Sequence, residues 1–295
     1  FGLNAFKALG GSYAIARYLC GKLNIPVNGN SFNVLCSEEA KAKLGTVTFV
    51  TATDGNHGRG VAWAAKLLGH KAVVYLPEGS SQERLNNIRA LGAEAEITKF
   101  NYDGAVRLAY AMSRKHGWVL VQDTAWSGYE KIPTWIMQGY TTMAQEITAQ
   151  LNGIMPTHLF LQAGVGSMAG AVLGYFAALW QDKLPVTVIC EPDKAACLYK
   201  TAAANDGQLH KVTGRMNSMM AGLCCGEPCT ISWDIINNFA GAFIACSDNY
   251  AARGMRLFGY AAKRRCAHCF GRIGCGNRRS SGSADAGPGA CTAAQ

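Results

Sequence analysis

The sequence predicts an α/β protein with open, mostly parallel sheets flanked by helices. Three observations carry that expectation. From about Thr46 short apolar runs alternate with longer segments of helical period, capping residues stand at several boundaries, and two glycine-rich stretches run directly from a strand candidate into a helix candidate.

In order, the strand candidates are residues 47–50, 72–76, 94–98, 118–122, 158–162 and 186–190. Helix candidates lie between them at 57–68, 82–91, 104–116, 130–151 and 167–180. Ser81 precedes the second of these as an N-cap, and Gly69, Gly92 and Gly117 stand where left-handed residues end helices. Strand followed by helix followed by strand argues for parallel pairing, with both sheet faces covered.

Bulk properties exclude several classes. No uninterrupted apolar run reaches the roughly 18 residues of a membrane span, and no signal-peptide pattern opens the chain, so a cytosolic protein without a membrane partner is expected. The 12 cysteines lack regular spacing in a chain of 295 residues and read mostly as reduced, buried, small apolar side chains. The net charge of +9 gathers at one end: Lys263, Arg264, Arg265, Arg272, Arg278 and Arg279 face only Asp285. The rest has no phosphate-tracking stripe, and no nucleic-acid partner is expected. Residues 261–295, poor in aliphatic side chains, are expected to be disordered. Their Cys266-x-x-Cys269, with Cys275, Cys291 and His268, lacks a second ligand pair of suitable spacing, so no metal site is expected.

Three stretches carry candidate chemistry. In FGLNAFKALGGSYA, Lys7 stands in an otherwise uncharged segment leading into a helix. Apolar surroundings favour the neutral amine, a usable nucleophile for a Schiff base; a lysine that only snorkels from a helix start is the alternative. In TATDGNHGRG, Gly55, Gly58 and Gly60 would let backbone approach a ligand closely. Asn56 would offer a hydrogen bond there, Asp54 an acid or base, and His57 a structural hydrogen bond; a capped turn is the alternative. In QAGVGSMAG, the backbone N–H groups of Gly164 to Gly170, those of Val165, Gly166, Ser167 and Met168 among them, with the Ser167 hydroxyl, would surround an anion at a helix N-terminus. No Walker lysine is present, and only Glu191 keeps a dinucleotide reading open, so a monophosphate cofactor suits the loop better.

An early lysine, a strand-following TDGNHGRG and a later GVGSMAG, in this order, resemble the fold-type-II family of pyridoxal-phosphate enzymes, which includes threonine dehydratase, the tryptophan synthase β chain and cysteine synthase. Within it, FVTATDGNHGRGVAWAA and VQDTAWSGYEKIPTWIMQGYTTMAQEI look most like the diaminopropionate ammonia-lyases, from Phe1 to about Tyr260. The resemblance implies a two-domain protein, with residues 1–45 and 150–260 in a larger cofactor-binding domain and 46–149 in a smaller one. It implies that Lys7 anchors pyridoxal 5'-phosphate covalently, that Asn56 bonds its ring oxygen, and that Gly164 to Met168 cradle its phosphate. Asp54 would be a second base, serving the D substrate while the lysine serves the L substrate. Asp123 and Tyr102 match positions near the substrate's distal amine, or else are a strand-end cap and a half-buried tyrosine.

The implied reaction is α,β-elimination of 2,3-diaminopropionate to pyruvate and ammonia by a cytoplasmic homodimer. Two departures accompany it. The chain opens almost at the lysine motif, and near Tyr260 its composition changes abruptly, as if both ends of the family's fold were missing or altered and the tail were translated out of frame. The other readings are a threonine or serine dehydratase-like lyase, against which Asp54 argues, and an inactive truncated product.

Overall fold

The computed structural model describes residues 2–3, 5–53 and 55–262. Two parallel sheets organise them. Strands β1 (Thr48–Ala52), β2 (Lys71–Leu76), β3 (Glu94–Ile97) and β4 (Val119–Leu120) form the first, in the order β3-β2-β1-β4. Strands β5 (His158–Gln162), β6 (Val186–Pro192) and β7 (Ala242–Cys246) form the second, in the order β5-β6-β7, and every named pairing is parallel.

Eleven helices are present among the described residues: α1 (Lys7–Leu23), α2 (Ser31–Leu35), α3 (Glu38–Leu44), α4 (Asn56–Leu67), α5 (Gln82–Arg89), α6 (Tyr102–His116), α7 (Lys131–Leu151), α8 (Ser167–Trp180), α9 (Cys197–Ala204), α10 (Thr230–Phe239) and α11 (Asp248–Ala262). The expected caps are in place. The Ser81 hydroxyl accepts the Arg84 N–H at 3.3 Å, and Gly69, Gly92 and Gly117 have φ of 78°, 84° and 68°, a region in which a side chain is costly.

Alternation along β1 and β2 distributes the first core. Phe49, Val74 and Leu76 point to the face covered by α1, α4 and α7, while Val50, Ala52, Val73 and Tyr75 meet Ala105, Val106 and Ala109 of α6. The second sheet buries Ile189 against Leu173 of α8, Leu198 of α9 and Ile236 of α10. Its cover is incomplete, since Phe160 is 63% and Ile244 42% exposed.

Several expectations are corrected. The strand expected at 118–122 keeps only two residues, because the Gln122 N–H goes to the Tyr129 hydroxyl (2.8 Å) and its carboxamide to β1. The helix expected from 104 begins at Tyr102, where the Asn101 side chain accepts the Gly104 N–H. Strand β7 and helices α2, α3, α9, α10 and α11 were not anticipated. All eight cysteines among the described residues are free, four of them buried. Of the segment expected to be disordered, 261–295, the first two residues end α11, and the tail from Lys263 to Gln295, with its cysteines and His268, lies outside the described residues.

Candidate active site

Strand order reverses between β1 and β4: β2 and β3 follow β1 on one side, and the chain returns through α6 to place β4 on the other. At such a switch point the carboxyl ends of neighbouring strands leave a crevice open to ligands. Here they carry Thr53 after β1 and Gln122-Asp123 after β4.

Gln122 ties the two ends together. Its side-chain oxygen accepts the Ala52 N–H (2.9 Å) and the Thr51 hydroxyl (3.0 Å), and its amide donates to Ala52 O (3.0 Å) and to the Tyr102 hydroxyl (3.0 Å). Tyr102, at the start of α6, donates in turn to Asp123 Oδ1 at 3.2 Å. Asp123 Oδ2 accepts from the Lys7 ammonium, and His57 Nδ1 lies 3.8 Å from it. The carbonyl of Asp123 accepts the Ser167 hydroxyl at 2.6 Å. One buried carboxylate residue therefore joins the lysine of α1, the tyrosine of α6 and the first residue of α8.

The electrostatics match the contacts. Burial pushes the Asp123 carboxyl up, but His57, Lys7 and the hydrogen bonds from Lys7 and Tyr102 outweigh it and hold the group well below the usual carboxylate range. Lys7 thus does not sit in purely apolar surroundings, as its own segment suggests; its partner stands 116 residues away in the chain. His57 is fully buried and its Nε2–H donates to Val121 O at 2.7 Å, the structural role expected of it.

Glycines place the lysine. A Cβ on Gly60 would lie 2.8 Å from Ala8 Cα and 3.2 Å from Lys7 O, and one on Gly139 of α7 would lie 2.5 Å from Leu9 O. A Cβ on Gly58 would meet Thr53 Cγ2 at 2.4 Å. The sequence suggests that Gly58 and Gly60 admit a ligand; they admit protein instead, letting α4 close on the first turn of α1, on Thr53 and on Val74 of β2.

The Gly164–Gly166 loop leads into α8, whose N-cap Gly166 has φ 103° and offers no side-chain cap to the first N–H groups of that helix. Residues 223–225 press on it from one side: a Cβ on Gly164 would lie 3.2 Å from Leu223 Cα and from Cys225 Sγ. Val165 and Ser167 are buried, and Met168 partly so. Glu191, the residue that kept a dinucleotide reading open, spends both carboxylate oxygens on the N–H groups of Leu198 (2.9 Å) and Tyr199 (2.7 Å) at the start of α9.

Asn56 opens α4 beside this crevice, while Asp54 lies outside the described residues. Gln122, Tyr129 and Tyr140 were missed. A glutamine at the end of an apolar strand was the available signal for the first; Tyr140 gave none. Its ring packs against Phe6 and Gly10, and its hydroxyl is buried without a hydrogen-bond partner among the described residues.

The residues present suit a pyridine aldehyde monophosphate: a primary amine beside a carboxylate, and uncapped backbone donors at a helix start for the phosphate. Among the described residues no three His, Cys, Asp or Glu side chains group to hold a metal ion, and no helix is long and apolar enough to cross a membrane.

Known proteins give the same picture. Residues 4–268 match the family described as pyridoxal-phosphate dependent enzyme. The diaminopropionate ammonia-lyase of Salmonella typhimurium is 58% identical over 260 residues, 87% of this chain and 64% of that protein. That of Escherichia coli strain K12 is 52% identical over 262 residues, 88% and 64% respectively. The crystal structure of the Escherichia coli diaminopropionate ammonia lyase in complex with D-serine superposes with a TM-score of 0.80 at 50% identity, covering 88% of this chain and 64% of that one. The chain spans 64% of the length of the curated relatives it matches.

Proposed function

The chain belongs to the pyridoxal-phosphate-dependent enzyme family, of fold type II, with pyridoxal phosphate as its cofactor, and on that premise we propose that it eliminates the β-amino group of 2,3-diaminopropionate. The products are pyruvate and two ammonia molecules: elimination releases the first, and one water hydrolyses the resulting enamine to release the second. The pairing of Lys7 with Asp123 at the switch point, tied by Ser167 to the start of α8, is the observation that carries this reading.

When bound, pyridoxal phosphate delocalises the electron pair left at the substrate's α-carbon. The chain's own groups supply binding and proton transfer. Lys7 would hold the cofactor and take the α-proton of the L substrate, and Asp54 that of the D substrate. Asn56 would bond the ring oxygen, and Gly164, Val165, Gly166, Ser167 and Met168 the phosphate. Asp123, already acidic and backed by Tyr102, would receive the distal ammonium, a charge-assisted contact that a substrate with a second amine rewards. The same reading takes the assembled form as a cytoplasmic homodimer without nucleic-acid partners; light scattering tests the dimer.

The first experiment is an absorbance spectrum with added pyridoxal phosphate, followed by borohydride reduction and mass mapping. An adduct on Lys7 that Lys7→Ala abolishes, with pyruvate release from diaminopropionate exceeding that from serine or threonine, is expected. A folded chain that forms no adduct, or releases pyruvate faster from serine, would overturn the reading.

A further inference from the structure

Residues 205–229 connect α9 to α10 with no regular structure beyond one 3-10 turn, yet part of this segment lies against the glycine loop. Leu223 and Cys225 press on Gly164, and the Cys229 N–H donates to Val165 O at 2.8 Å. The other side of the segment is held by α6. The Gly226 N–H bonds the buried Asp103 carboxylate, and a Cβ on Gly226 would lie 2.9 Å from Asp103 Oδ2 and 2.3 Å from Val212 O. The Val212 N–H returns a bond to Gly226 O at 2.9 Å. Beside it, Glu227 pairs with Arg107 of α6 and with Lys211, each at 3.0 Å. Asp103 directly follows Tyr102, whose hydroxyl reaches Asp123.

We propose that Asp103 is a positioning residue, the buried pin of a latch that holds residues 211–229 across the glycine loop and loosens as its carboxyl ionises. The charged and titratable groups that face it are Glu227, Arg107, Lys211 and the Cys197 thiol of α9. Burial and then Glu227 push its pKa up from 3.8 to about 6, against the opposing pull of Arg107, the Gly226 N–H and Lys211. The closed segment therefore binds the proton more tightly than any state in which Asp103 reaches water. Raising the pH from the ordinary carboxylate value of 3.8 through about 6 favours opening, by up to roughly 100-fold for a shift of about two units, and the effect levels off above that. A latch of this kind governs access to the glycine loop and the seating of Tyr102.

Hydrogen–deuterium exchange of residues 205–229 in the chain without cofactor, corrected for the intrinsic pH dependence of amide exchange, tests this between pH 4 and 8. The segment's protection is expected to fall by 10- to 100-fold, with opening half-maximal at a midpoint near 6 and level above it, and to be independent of pH in Asp103→Asn. Glu227→Gln removes a like charge and should move the midpoint down; Arg107→Gln removes a cation and should move it up. Both alter partly exposed side chains and spare the buried pin. Protection that is flat with pH in the unaltered chain, a pH dependence that survives in Asp103→Asn, or midpoints that move the opposite way would overturn the latch. The inference rests on the proposed site only for its consequence, since exchange is read without turnover and failure of the lyase reading leaves the measurement standing.

Discussion

Asp123 concentrates the contacts of the candidate site in one residue. Its two oxygens separate the tasks, Oδ2 taking the Lys7 ammonium and Oδ1 the Tyr102 hydroxyl, while its carbonyl fixes Ser167. A charge this deeply buried persists only because each neighbour is a donor. Tyr140 is the contrasting case, a buried hydroxyl close enough to Lys7 and Asp123 to feel both charges while its own oxygen has no hydrogen-bond partner among the described residues. Removing it should cost nothing. Tyr140→Phe is expected to leave the unfolding free energy of the cofactor-free chain unchanged or raise it by up to about 1 kcal/mol. A loss of about 1 kcal/mol or more in urea unfolding would mean that the hydroxyl has a partner. Where two bases divide the work, their variants should divide by stereochemistry. Asp54→Asn is expected to lower turnover of D-2,3-diaminopropionate by about 10²- to 10⁴-fold and that of the L isomer far less. Equal losses on both isomers in a pyruvate assay would end the two-base assignment.

At the scale of elements, the site depends on how closely α1, α4 and α7 approach one another. Gly60 and Gly139 leave no room for even a methyl group beside the backbone of residues 7–9, so these helices meet through main chain. Gly60→Ala must push α1 off α4, and overpacking against backbone costs about 1–3 kcal/mol. A lower melting temperature together with a weaker Lys7 adduct is the expected pair of effects. A normal adduct in a variant of normal stability would show that the approach is dispensable. Much of this architecture was legible in the sequence. Residues 158–162 and 167–180 stand as read, because an apolar strand run and a glycine loop ahead of a helix are local signals. What escaped is long-range. The two-residue β4 is cut short by a side-chain bond from Tyr129, the start of α9 is capped by Glu191, and β7 finds its place by pairing with β6. The Lys7–Asp123 pair belongs to the same class, since each residue was singled out in its own stretch while the contact between them depends on how α1 docks against the sheet.

At the scale of the whole molecule, buried carboxyls decide how stability follows pH, and they divide into two groups. Asp103 and Glu191 have pKa values raised to about 6 and about 7, chiefly by burial, so each binds its proton more tightly folded than unfolded. Their contribution is fully present below the ordinary carboxylate range and is lost as pH rises through about 6 and about 7. Asp123 has the opposite sign: its folded value is depressed, so its contribution is present above the ordinary range and is lost as pH falls through the depressed value. The two tendencies place maximal stability in mildly acid solution, with a decline toward pH 8 on the order of 2–5 kcal/mol for the two raised groups together. Urea midpoints of the cofactor-free chain at pH 5 and pH 8 test this directly. The midpoint should be higher at pH 5, and the double variant Asp103→Asn, Glu191→Gln should lose most of the difference, because neither replacement titrates. If the double variant kept the full difference, the pH dependence would have to originate in other groups, and the opposed roles of these carboxyls would fall.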